Sequence, residues 1–283
     1  MKSDNFVITS TGQRVHFDDD RLRNSLKRAG AKPEVIESIV QKVMSSLFEG
    51  ISTHKIYAQA FKILRSDSRP VAARYSLKKA LMELGPSGFP FETYFSQLLA
   101  EDGYTIKTDK VLQGQCVTHE VDVIAEKDNT LNFIECKYHN SRGIIADVKI
   151  PLYIHSRFND IVEHQEKQKE NEGKKFKGWV VTNTRFTTDA IQYGLCRGLE
   201  MISWDYPNNK NNIKRRIDET RLYPITCLTT LTAAEKQQLL QQKIVLCRTL
   251  NQNAKPLTDL GIKPARLTAI LNECANLCSI RID

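Results

Sequence analysis

The sequence predicts an α/β fold, a mixed sheet flanked by helices, set between a mostly helical amino-terminal domain and a small helical carboxyl-terminal segment. Three observations predict it. Residues 5–85 read as one hairpin followed by helical spacings. Residues 104–138 hold three short strand patterns behind an amphipathic helix, and residues 178–204 read strand, helix, strand. From about Arg221 the apolar spacing is helical again. Alternation with period 2 and recurrence with period 3.6 separate the two kinds of element.

A chain of 283 residues is long enough for two or three domains. Lys and Arg number 41 against 33 Asp and Glu, a net charge of +8 that favours polyanionic partners. No apolar run approaches the roughly 18 uncharged residues of a membrane helix, and "MKSDNFVITSTG" lacks a secretory pattern, so a cytoplasmic protein without membrane association is expected. Seven cysteines are scattered without CxxC pairs, which argues against a disulfide framework or structural zinc.

In the first segment, "FVITSTGQRVHF" alternates around Thr11-Gly12 and predicts a hairpin. Asp18 to Asp20 can cap a helix carrying Leu22, Leu26 and Ala29 that stops at Gly30. Pro33 opens a second helix with Val35, Ile36, Ile39, Val40, Val43 and Leu47, ended by Gly50. Ser52 or Thr53 caps a third with Ile56, Ala60, Ile63 and Leu64. A fourth runs from about Arg69 to Leu84, with Val71, Tyr75 and Leu81 inward, and Gly85-Pro86 closes it.

The stretches "VITSTGQRVHFDDDRLRNSLKRAG", "ISTHKIYAQAFKIL" and "VAARYSLKKAL" together resemble the ATP-cone, a regulatory nucleotide-binding module. The resemblance implies a domain over residues 1–86 with ATP or dATP as effector. Thr9 and Ser10 stand where that family carries a Lys-Arg pair for phosphates, Arg21 stands where it commonly has Lys, and Arg74 keeps its Arg-Tyr pair. Loss of two cations removes charge-assisted phosphate contacts. The alternative is a helical docking or dimerisation domain that binds no nucleotide.

The Gly- and Pro-rich "GPSGFPFE" reads as a linker. A helix with Phe91, Tyr94, Phe95, Leu98 and Leu99 inward follows and stops at Gly103. Next come the strand patterns "YTIKTDKVL", "HEVDVIAE" and "LNFIECKY", with "KDNT" as the turn between the last two.

The third strand spends two opposite charges on one face, because Glu135 and Lys137 are two apart. They can be a surface ion contact, or half of a metal-dependent phosphodiester-cleaving site. Asp122 lies between Val121 and Val123, an expensive place for a carboxylate without a partner. If "KDNT" closes a hairpin, Asp122 and Glu135 come side by side at one edge of the sheet. Two adjacent carboxylates repel unless one is protonated or a cation lies between them, and hard oxygen donors suit Mg²⁺ or Mn²⁺. Lys137 can then activate a water or stabilise a pentavalent phosphate.

Asp, a spacer, then Glu-x-Lys looks like the PD-(D/E)xK nuclease site. "FETYFSQLLAEDGYTI", "HEVDVIA", "FIECKYHN" and "GWVVTNTRFTTDAIQYGLCRGLEMISW" resemble, in order, the Mrr-like branch of restriction endonucleases. The resemblance implies a restriction-endonuclease-like nuclease domain over residues 88–206, with an additional acid from the opening helix at Glu92. It implies Asp122 and Glu135 as metal ligands, Lys137 as a catalytic residue, DNA as partner and a defence role. The same three charges can also form a structural cluster in an inert domain, giving a nucleotide-sensing or DNA-binding regulator. A structure-specific junction nuclease would use the same site. Homo-oligomerisation is expected of any of these.

His119 and His139 flank the site and can be phosphate contacts or half-buried neighbours. Downstream, Arg142, Lys149, Arg157, Lys174, Lys175 and Lys177 are candidate DNA contacts, with a solvated loop as the alternative for the lysines. "GWVVTNT", "TTDAIQYGLCRG" capped by Thr187 or Thr188, and "LEMISW" complete the α/β layer. Residues 221–283 alternate short helices around Gly261-Ile262. They faintly resemble a helix-hairpin-helix DNA-binding module and are otherwise a helical cap on the catalytic domain.

Overall fold

The computed structural model describes residues 5–141, 143–208 and 211–279. The chain divides into two compact units, one formed by residues up to Leu81 together with those from Arg221 onward, the other by Met82–Thr220.

In the first unit, β1 (Phe6–Ile8) and β2 (Arg14–His16) form the expected hairpin, with Gly12 at φ 79° in its turn. α1 (Asp19–Arg28) starts at Asp18, whose carboxylate accepts the Arg21 amide. α2 (Pro33–Ser45) ends earlier than Gly50, because the Ser46 hydroxyl bonds back to the Val43 carbonyl at 3.0 Å. A two-residue strand too short for any pattern, β3 (Ile51–Ser52), runs parallel to β1, and Ser52 then caps α3 (Thr53–Asp67). The predicted fourth helix is two, α4 (Arg69–Tyr75) and α5 (Leu77–Met82). Ser76 divides them, turning its hydroxyl to the Ala73 carbonyl. Leu26, Ile39, Val43, Ala60 and Leu64 are fully buried where these helices meet.

The second unit opens with α6 (Phe89–Glu101), which begins inside the stretch read as a linker. β4 (Thr105–Gln113), β5 (Thr118–Lys127) and β6 (Thr130–Lys137) form an antiparallel meander. The β5–β6 turn is Asp128-Asn129, both at positive φ, the geometry that matches strand twist in a two-residue hairpin. β7 (Ile145–Ala146) leads into α7 (Lys149–Gln165), followed by β8 (Lys175–Thr182), β9 (Arg185–Phe186), α8 (Thr188–Cys196), β10 (Glu200–Ile202) and α9 (Ile213–Thr220). The five-stranded sheet has order β10-β8-β6-β5-β4, with β6, β8 and β10 parallel. β7 and β9 pair separately.

This order corrects one expectation. β5 and β6 are interior strands, because β8 pairs along the free side of β6, so the acids stand at a strand end and not at a sheet edge. On one face Val121, Ile124 and Phe133 pack on Phe158 and Ile161 of α7.

The carboxyl-terminal elements are α10 (Ala233–Gln241), α11 (Cys247–Gln252), α12 (Lys255–Asp259) and α13 (Pro264–Ser279). α13 packs on α4 and α11, and the Thr226 hydroxyl donates to the Ala80 carbonyl at 2.8 Å, which makes these helices part of the first unit.

Candidate functional site

The β5–β6 ladder runs from the turn up to Val123 and Ile134 and there gives way. Beyond that rung the Cys136 amide donates to Asp122 Oδ2 at 2.7 Å, so the carboxylate takes the place of a strand carbonyl. Carried one residue past its last pair, the register brings Asp122 level with Glu135, whose charge acts on it. On the other side Thr108 pairs with Val123 and Lys110 with Val121, which places Asp109, at φ 53°, opposite Asp122. Three acids thus fall at the same level of the sheet, where the ladders on both sides of β5 are interrupted.

Glu135 is neutralised from two sides. Its Oε1 accepts from Lys137 Nζ at 2.5 Å and its Oε2 from Arg157 Nη1 at 2.6 Å. Arg157 projects from α7, rests its guanidinium 5.5 Å from the Tyr153 ring centre, and donates its other nitrogen to the Glu120 carbonyl. Burial, reinforced by the charge of Glu135, pushes Asp122 up to about 6 despite the Cys136 amide, Lys137 and Arg157. Burial and the charges of Asp122, Asp109, Glu135 and Glu120 push Glu92, in the first turn of α6, up to about 7. Two carboxyls held this high mark a half-buried place where several acids crowd together.

Asp122 and Glu135 offer hard oxygen donors of the kind Mg²⁺ or Mn²⁺ takes, with Glu92 as an acidic neighbour, while Asp122 Oδ2 and both Glu135 oxygens are engaged by Cys136, Lys137 and Arg157. Among the described residues, three carboxylate oxygens lie within 4.8 Å of one another only at Asp18, Asp19 and Asp20. There Asp18 is the α1 cap and Asp19 pairs with Arg23.

Other predicted residues lie elsewhere. His119 bonds Asp160 at 2.7 Å, and Asp160 also accepts the Cys116 and Val117 amides, so this histidine belongs to a clamp holding the β4–β5 turn to α7. The His139 backbone exchanges two hydrogen bonds with the Asn183 side chain. Its ring, lowered in pKa by burial and by Lys137, stays beside the site. Arg157, a candidate phosphate contact, here grips Glu135. Lys174 pairs with Glu126 at 2.7 Å, and Lys175 pairs in register with Thr130. Both stand at the far end of the ladder, roughly 17 Å from Glu135 at 3.3 Å per residue. Arg142 lies outside the described residues. Asp109 and Glu120 were missed. Glu120 was legible as the same-face neighbour of Asp122, whereas Asp109 needed the β4 register.

In the first unit, the Thr9 hydroxyl accepts the Gln13 amide at 3.1 Å and so closes the hairpin turn, and Ser10 is exposed beside it. Arg21 is 83% exposed, 3.9 Å from Asp18. Arg74 donates Nε to the Ala29 carbonyl at 2.8 Å beneath Gly30, at the end of α1.

The two units therefore define a class of protein, a helical module with a short sheet joined to a five-stranded mixed α/β domain with charged residues at the end of its central strands. Residues 5–82 match the family model described as the ATP cone domain, and residues 223–278 match the one described as AF1548-like, C-terminal. An uncharacterized protein of Archaeoglobus fulgidus (strain ATCC 49558 / DSM 4304 / JCM 9628 / NBRC 100126 / VC-16) is 31% identical over 179 residues, 63% of this chain and 96% of the relative. A crystal structure described as that of a protein of unknown function, AF1548, is 29% identical with a TM-score of 0.56. It covers 68% of this chain and 98% of its own. The chain belongs to the family of these AF1548-like proteins, with an ATP-cone in its first residues.

Proposed function

We propose that the chain is a metal-dependent endodeoxyribonuclease with an Mrr-like PD-(D/E)xK site, controlled by ATP or dATP through its ATP-cone. The observation that carries this reading is Asp122 within the electrostatic reach of Glu135 where the β5–β6 ladder ends, with Lys137 bonded to Glu135 at 2.5 Å. An isolated surface ion pair would not gather Glu92, Asp109 and Asp122 around it at the cost of two raised carboxyls.

Asp122 and Glu135 would hold Mg²⁺ or Mn²⁺, which when bound lowers the pKa of a coordinated water and neutralises the phosphoryl oxygens. Lys137, once released from Glu135, orients the attacking water and balances the charge that grows on the phosphate. Glu92, with a pKa near 7, is suited to exchange a proton with that water. The net charge of +8 favours a polyanionic substrate.

A second reading is favoured by Glu135 having both oxygens engaged by cations: an inert domain serving a nucleotide-sensing regulator. Incubation of supercoiled plasmid with wild type and Lys137→Ala, with and without Mg²⁺ and with ATP or dATP, separates the two. Mg²⁺-dependent strand cleavage that is lost in Lys137→Ala is the expected result. DNA binding without cleavage of plasmid, single-stranded or branched substrates would leave the regulator. A change in rate with ATP or dATP tests the role of the first unit.

A further inference from the structure

Arg157 is used in neither the sheet core nor the three charged positions of the proposed site, yet it makes the closest contact to Glu135 from outside the strand. Its side chain is 16% exposed and ties Glu135 Oε2 on β6 to the Glu120 carbonyl on β5, across the gap left where the ladder stops. Asp122 fills the same gap through Cys136. The site is therefore closed by a cation that the chain itself supplies.

Resting on the nuclease reading above, we infer that Arg157 is a resident counter-ion that competes with the catalytic metal for Glu135 and, when displaced, turns to the substrate phosphate. Three features carry this. The guanidinium engages the same carboxylate that would ligate the metal, so both cannot hold Oε2 at once. Lys137 holds only Oε1, so without Arg157 the half-buried Oε2 would stand unpaired near the Asp122 carboxylate, and the arginine supports the metal-free site beside the lysine. Its anchor over the Tyr153 ring, 60% exposed at the start of α7, faces outward and leaves the planar fork a short swing from Glu135 to solvent. A guanidinium matches a phosphate as well as it matches a carboxylate, so the exchange replaces one paired anion by another.

The test uses the full chain and Mn²⁺, whose binding is read by electron paramagnetic resonance and by calorimetry in the absence of DNA. Arg157→Gln should bind Mn²⁺ about tenfold more tightly than wild type, because the competitor is gone. In Ca²⁺, without cleavage, it should bind duplex DNA about tenfold more weakly, because the phosphate contact is gone. Arg157→Lys, which keeps the charge but not the fork, should restore most of the wild-type Mn²⁺ affinity and serves as the folding control. Unchanged or weaker Mn²⁺ binding in a folded Arg157→Gln would overturn the inference and leave the nuclease reading intact. Unchanged DNA binding would remove the transfer to phosphate. No Mn²⁺ bound by either protein, or binding indifferent to Asp122→Asn, would remove the nuclease reading and this inference with it.

Discussion

Asp122 Oδ2 accepts the Cys136 amide at 2.7 Å, one residue beyond the last paired rung of two interior strands. A carboxylate has replaced a peptide carbonyl at a point where the sheet would otherwise simply continue. The hydrogen bond favours the charged form, while burial and Glu135 oppose it and prevail, leaving Asp122 near 6.

The site should therefore lose stability as pH rises. Asp122 and Glu92 titrate in the fold near 6 and 7, above their unfolded values of about 4, so the folded state holds the extra protons between those limits. Their destabilisation is absent below about pH 4, grows between about 4 and 7, and is complete above. Half-buried His139, lowered in pKa, works in the opposite direction, so the informative quantity is a difference between proteins. Asp122→Asn keeps an acceptor for Cys136 and should be about 1–2 kcal/mol more stable than wild type at pH 8 and equal to it at pH 4. Asp122→Ala removes the acceptor and should cost about 1–3 kcal/mol even at low pH. Urea denaturation across this range measures both, and added Mg²⁺ should raise the stability of wild type only.

Gly178 decides how near α7 comes to the sheet. A Cβ there would lie 2.8 Å from Leu199 Cδ2 and 2.9 Å from Phe158 Cγ, both packed in the core around β8. Elsewhere in a strand Gly→Ala would help by lowering chain entropy. Here Gly178→Ala should destabilise by about 1–3 kcal/mol through overpacking. Because Phe158 adjoins Arg157, it should also loosen the pair with Glu135, and a Gly178→Ala protein that melts lower but binds Mn²⁺ more tightly would display both effects.

How much of this was legible in sequence follows from chain distance. Asp122 facing Glu135 could be read because a two-residue turn at 128–129 and period-2 alternation fix the register locally. That β8 would line the other side of β6 could not, since parallel pairing is made by residues more than forty positions apart. The grip of Arg157 on Glu135 depends on that same long-range packing. The return of residues 221–279 to the first unit rests on contacts such as Thr226 with Ala80, 146 positions apart, for which apolar spacing shows a buried face but not its partner. Ser46 and Ser76 ended helices where periodicity continued, because a hydroxyl competes for a backbone carbonyl.

Glu273 is the buried carboxylate of the carboxyl-terminal helices, 3% exposed on α13. One oxygen accepts the Thr229 amide and hydroxyl at 2.9 and 2.8 Å, the other those of Thr230 at 3.0 and 2.7 Å. Four donors satisfy both oxygens. Glu273→Gln puts an NH₂ where two donors point, and should cost about 2–3 kcal/mol. Glu273→Ala leaves all four unpaired and should cost more. Chemical denaturation should register both losses, and plasmid cleavage at a temperature where the variants remain folded should not change.

Arg74 and Arg21 separate support of the first unit from contact with a nucleotide phosphate. Arg74 donates to the Ala29 carbonyl at 2.8 Å and packs 3.2 Å from the position a Cβ on Gly30 would take, so it caps the end of α1 from within the fold. Arg74→Ala removes that donor and a half-buried aliphatic stem and should lower stability by about 1–3 kcal/mol. Arg21, 83% exposed and 3.9 Å from Asp18, supports little, and Arg21→Ala should change stability by less than about 0.5 kcal/mol. If the ATP-cone here holds a nucleotide through the α1 side of its hairpin, Arg21→Ala should weaken ATP or dATP binding about tenfold, the loss of one charge-assisted contact to phosphate. Calorimetric titration of both variants against ATP and dATP, alongside their melting curves, measures this. Equal affinities in Arg21→Ala and wild type would move the phosphate site away from α1, and binding lost in a still-folded Arg74→Ala would make that arginine a ligand as well as a support.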